Sequence, residues 1–142
     1  WESPGLTETL DTLDVLSDNG IKYVADWVID DQPQDLIVKN KNRMLALPYT
    51  VEMNDVVITA VQNHSSNEIF ERGKAQFEQL YKESKQTTKI MSISIHPYLT
   101  GVPHRINYLN KLLDYISDHD DVVFMTGEEI NNWYCKNVYI LS

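Results

Sequence analysis

The 142 residues, 42% of them hydrophobic, are enough for one domain with a real core. No apolar run reaches the roughly 20 residues that a membrane helix requires. A net charge of −9 disfavours a nucleic-acid partner, because phosphates are met by clustered Lys and Arg. Cys135 is the single cysteine. It allows no intrachain disulfide and no cysteine-based zinc site, and it points to a reducing, cytoplasmic setting. The opening Trp1-Glu2-Ser3-Pro4 has neither signal-peptide character nor an initiator methionine, so a fragment or a processed product is expected.

Leu6, Leu10, Leu13 and Leu16 recur at helical spacing before Gly20, which predicts an amphipathic helix over 7–19 with a glycine stop. Residues 21–27 (IKYVADW) follow as a strand rich in branched and aromatic residues. The polar, acidic stretch 28–35 reads as a loop, and 40–42 as a turn before a short apolar strand, Met44 to Leu47, closed by Pro48. Residues 49–65 are ambiguous between strand and short helix. Ser65 and Glu68 have capping-box spacing. Ile69, Phe70, Phe77, Leu80 and Tyr81 then form a helical stripe to about Ser84.

Ile90 to Ile95 alternates isoleucine with small polar residues and stops at His96-Pro97. This is the signature of a buried strand whose pairing proline ends. A helix is predicted over 105–117, a last strand over 122–125, and a short helix capped by Thr126 and Glu129. The tail from Cys135 to Ser142 reads as an edge strand or a docked terminus. Helices and strands thus alternate. The expectation is an α/β fold with parallel strands joined by crossover helices: an open sheet, or part of a barrel, since too few strands are present to close one of about 250 residues.

Parallel strands present their C-terminal ends on one side, where chemistry is usually placed. Those ends carry Asp26-Trp27 with Asp30 and Asp31, then Tyr49, then His96. An imidazole supported by a carboxylate is a working acid–base pair, because the carboxylate fixes the tautomer and leaves the other ring nitrogen for substrate. Asp26 is the expected partner of His96, with Trp27 as an apolar wall. The plainer alternatives are a loop histidine making backbone hydrogen bonds and a solvated acidic loop. His104, next to Arg105, either faces the same cleft or caps the following helix. No H-x-x-x-H, H-E-x-x-H, nucleotide-binding glycine loop or G-x-S-x-G elbow occurs.

Four blocks carry a family resemblance. SISIHPYLTGVPHR resembles the late histidine motif of the polysaccharide deacetylase (NodB-homology) superfamily, particularly its allantoinase-like branch. WESPGLTET, YVADWVIDDQP and LPYTVEMND resemble further motifs of that branch in order and spacing, and the closing TGEEINNWY resembles its final helix. The match spans residues 1–134, leaving 135–142 as a tail.

The resemblance implies a distorted (β/α) barrel, NodB-like and seven-stranded in the intact family, of which this chain is the C-terminal half. It implies hydrolysis of a non-peptide carbon–nitrogen bond, with His96 as general acid and Asp26 orienting it. The expected substrate-binding residues are Trp1, Trp27, Asp30, Asp31, Tyr49, Asn54, Ile95 and His104. The family's metal and general-base motifs would precede Trp1, and its expected arginine is missing here. No metal ligand is therefore assigned within the chain, and a divalent metal such as zinc would need upstream ligands. A cyclic ureide is the first substrate class and an N-acetylated sugar polymer the second. A non-catalytic remnant serving as a binding or oligomerisation module is a third reading. Unpaired strand edges predict homo-oligomers or association with the missing half.

Overall fold

The structure is a computed structural model and describes residues 1–138. The chain divides into two compact units, Trp1–Tyr49 with the segment from Phe124, and Thr50–Val123. No described helix is long and apolar enough to cross a membrane.

In the first unit, α1 (Thr12–Asp18) leads into β1 (Tyr23–Val24), β2 (Gln34–Leu36) and β3 (Met44–Ala46), in the sheet order β1-β3-β2. β3 is central and wholly buried, as its apolar run dictates. It pairs with β1 in parallel, Tyr23 opposite Leu45 and Val24 opposite Ala46. Its pairing with β2 is antiparallel, Asp35 opposite Leu45. The sheet is thus mixed, where an all-parallel one was expected. The acidic stretch read as a loop contributes the edge strand β2 through its last residues. Its charge explains both the misreading and the edge position, since Asp35 meets Arg43 across the ladder through Nε at 2.7 Å and Nη2 at 3.2 Å.

α1 is shorter than predicted. Leu13 and Leu16 pack on the Val24–Val38–Met44 core, whereas Leu10 lies outside the helix and is fully exposed. Gly20 does stop the helix, at a φ of +79°. α4 (Gly127–Asn137) opens on a complete capping box between Thr126 and Glu129. It runs through Cys135, so the first part of the predicted tail is helical. The remainder, 139–142, lies outside the described residues.

In the second unit, Val56–Val61 is a short π-helix, which resolves the ambiguous stretch. α2 (Glu68–Glu83) and α3 (Ile106–Ser117) follow the predicted stripes. Met53, Ile58, Ile69, Phe77, Leu112 and Ile116 form their common core. The capping box expected at Ser65 does not form: Asn67 is the N-cap, without a side-chain cap bond. Ser65 Oγ instead bonds Asn67 Oδ1 at 2.7 Å.

Two predicted strands are absent among the described residues. Residues 90–95 hold a single parallel bridge, Asn54 to Ser94, and residues 122–125 hold none. Both are strand-like in sequence, but a strand needs a neighbour to pair with. Among the described residues the strands form only the three-stranded sheet, not a closed barrel.

Candidate active site

The centre of the second unit's chemistry is the junction where residues 94–96 run beside 53–55. Ser94 N–H donates to Met53 O, and Asp55 N–H donates to Ser94 O, both at 3.0 Å. This register brings the Asp55 side chain to His96. Asp55 is 1% exposed, and its carboxylate is fully employed. Oδ2 accepts the His96 backbone N–H at 2.7 Å and the Thr100 hydroxyl at 2.6 Å. Oδ1 meets His96 Nδ1 at 2.7 Å. A carboxylate can only accept, so Nδ1 is the donor of that bond.

Burial works against the Asp55 charge. The bonds from the His96 amide, the Thr100 hydroxyl and the His96 ring outweigh it and hold the carboxyl below the usual range. Pro97 ends the extended segment, and His96 O then accepts the amides of Leu99 (2.9 Å) and Thr100 (3.0 Å) in a tight turn. That turn fixes both the ring and the threonine that steadies its partner. The ring is 38% exposed, with Tyr98 edge-on at 5.7 Å. Nε2 is the ring nitrogen that Asp55 does not engage.

Asp55 therefore replaces Asp26 as the partner of His96. Asp26 was assigned on the expectation that residues 90–95 join its sheet, but their one bridge is to Asn54 and it delivers Asp55. Asp26 is occupied within the first unit, where it accepts Ser3 N–H at 2.6 Å and Ser3 Oγ–H at 2.7 Å. The sequence reading gave Asp55 no role, although it closes the quoted LPYTVEMND block. Thr100 was missed as well.

The other expected substrate residues fall into two groups. In the second unit, Asn54 is next to Asp55 and accepts Val56 N–H at 2.9 Å, Ile95 adjoins His96 and is exposed, and His104 is exposed in the turn before α3. His104 does not cap that helix, whose N-cap is Arg105. In the first unit, Trp1 takes the Ala25 amide on its carbonyl at 2.9 Å and bonds Ser3 Oγ through its indole at 3.0 Å. Trp27 is 43% exposed. Asp30 accepts the Asp31 amide at 2.7 Å in an exposed turn, and Tyr49 is half-buried.

Among the described residues, no three His, Cys, Asp or Glu side chains converge as a metal site would require. The donor set of the described residues does not fit a divalent ion by itself.

No family model matches the chain. A Schizosaccharomyces pombe protein assigned to the polysaccharide deacetylases is 30% identical over 116 residues, covering 80% of this chain and 36% of that protein. The crystal structure of Puue allantoinase superposes with a TM-score of 0.85 at 29% identity, over 93% of this chain and 45% of that one. A Pseudomonas aeruginosa PAO1 structure assigned to the polysaccharide deacetylases gives 0.81 at 30% identity, over 87% and 42%. The chain thus spans less than half the length of each of these proteins. With the His96 motif and its neighbouring blocks in place, the chain belongs to the polysaccharide deacetylase (NodB-homology) superfamily.

Proposed function

We propose that this chain carries the proton-donating side of a hydrolase site for a non-peptide carbon–nitrogen bond, with His96 as general acid and Asp55 as the carboxylate that positions it. The observation that carries this is the 2.7 Å bond between His96 Nδ1 and Asp55 Oδ1, made by a buried carboxylate whose other oxygen is also filled. A water oxygen adds to the carbonyl carbon, the carbon–nitrogen bond breaks, and the imidazolium gives its Nε2 proton to the departing nitrogen. The proton lost by the water goes to a base that the described residues do not supply. The fraction of each relative that is matched supports placing that base, and the other strands of a distorted barrel, in sequence beyond this chain. A divalent metal, if one is used, would be held there too.

The substrate favoured is a cyclic ureide. The sequence blocks are those of the allantoinase-like branch, and the Puue allantoinase structure superposes over 93% of the chain. An N-acetylated amino-sugar polymer is the second reading, supported by the yeast and Pseudomonas relatives. Incubating the intact gene product with allantoin and, separately, with an N-acetylglucosamine oligomer tests both. Ring opening without acetate release is the expected result. Acetate release alone moves the assignment to the second reading, and neither product leaves only a non-catalytic binding module.

A further inference from the structure

Thr100 is 4% exposed, and its hydroxyl donates to Asp55 Oδ2 at 2.6 Å. Local structure puts it there. After Pro97 the chain folds back, and the Leu99 and Thr100 amides both donate to His96 O, at 2.9 and 3.0 Å. So tight a turn needs a glycine next, because a Cβ at Gly101 would collide with the Pro97 carbonyl. Arg105 Nη1 donates to Leu99 O at 3.3 Å. That bond ties the turn to the head of α3, which buried Leu109 and Leu112 anchor. The result is a closed circuit: the Thr100 amide bonds His96 O, the Thr100 hydroxyl bonds Asp55, and Asp55 Oδ1 returns to His96 Nδ1.

We infer that Thr100, held in place by this turn, is a positioning residue that acts on His96 through Asp55. The χ2 rotation of an aspartate is soft, so the bond to the His96 ring would not by itself fix the plane of the carboxylate. The His96 amide and the Thr100 hydroxyl, both on Oδ2, fix it and leave Oδ1 aimed at Nδ1. The amide belongs to the backbone, whereas the hydroxyl can be removed by a side-chain change.

Thr100 also helps to keep that carboxylate charged. Burial pushes the Asp55 value up, and the His96 amide, the Thr100 hydroxyl and the His96 ring together outweigh it. Without the hydroxyl the value rises, so on acidification the ionised form is lost at a higher pH than in wild type. The titratable groups that face one another here are Asp55 and His96, with Tyr98 edge-on to the His96 ring. The effect on turnover rests on the hydrolase reading above; the effect on the Asp55–His96 bond does not.

The test compares the intact gene product with Thr100→Val, which keeps the shape and removes the hydroxyl, and with Thr100→Ser, which restores it. In Thr100→Val kcat is expected to fall by up to about 10²-fold, the scale of a misplaced catalytic group, at unchanged KM. Its acid limb is expected to begin at a higher pH, and Thr100→Ser to recover both. Wild-type kcat and acid limb in Thr100→Val, or a loss that serine does not restore, overturns the inference. The low-field proton resonance of His96 Nδ1–H, assigned by its absence from His96→Ala, reads the same circuit without substrate. It is expected to shift in Thr100→Val and to stay in place in Thr100→Ser, and a resonance unmoved in Thr100→Val overturns the inference. Should Thr100→Val fail to fold, Thr100→Cys, whose thiol is a weaker donor, replaces it with the same outcomes. Absence of turnover in wild type, with the resonance shifted in Thr100→Val, would count against the hydrolase reading and leave the role of Thr100 standing.

Discussion

Asp55 shows how one side chain can organise a site. It is buried, and it stays ionised because three donors converge on it. Asp55→Asn keeps the shape but removes the charge from all three bonds, so it is predicted to cost about 1.5–3 kcal/mol, measured by urea unfolding. The pH dependence has a definite sign. The Asp55 carboxyl is held below its ordinary value of 3.8, so its stabilisation is present above that value and is lost as pH falls through the folded-state value. Wild type should lose stability in that acid window, and Asp55→Asn should lose less. His96 was legible in the sequence because a strand-like run ending in His-Pro is a strong local signal. Asp55 was not, since its approach depends on the Asn54–Ser94 register, and register between distant segments is not written in either one.

At the scale of elements, periodic helices were the readable part. α2, α3 and α4 lie close to their predicted bounds because an apolar stripe at 3.6-residue spacing specifies both the helix and its buried face. Gly73 shows what periodicity leaves out. A Cβ there would sit 2.4 Å from Leu112 Cδ2 and 3.0 Å from Met53 Cε, both in fully buried side chains. Gly73→Ala would gain about 1 kcal/mol of helix propensity, but overpacking costs typically 1–3 kcal/mol. The prediction is net destabilisation by thermal melting, with a net gain contradicting the close helix contact. Leu112→Ala should cost more, about 2–5 kcal/mol. Thr126→Ala, which removes a capping box seen in both sequence and structure, should cost about 1 kcal/mol. The strands were harder to read. β3 declared itself by its apolar run, β2 was masked by its edge charges, and residues 90–95, strand-like in composition, form the single bridge Asn54–Ser94.

For the molecule as a whole, the exposed apolar side chains are the main fact. Val123 and Phe124 are 74% and 65% exposed and Ile95 is 47% exposed, in a chain that matches less than half the length of its relatives. Apolar surface of this kind seeks cover. The chain alone is predicted to bind an apolar dye and to self-associate on size exclusion, and a dye-silent monomer would count against this. The family was legible because its motifs are short and local. The substrate was not, because the chain spans less than half the length of its relatives and they include both an allantoinase and polysaccharide deacetylases. The central claim is that His96, held by Asp55, donates the proton that lets the nitrogen leave, and kcat of the intact gene product with and without His96→Ala tests it most directly. A loss of about 10²- to 10⁴-fold in a folded variant is predicted, and unchanged turnover would contradict it.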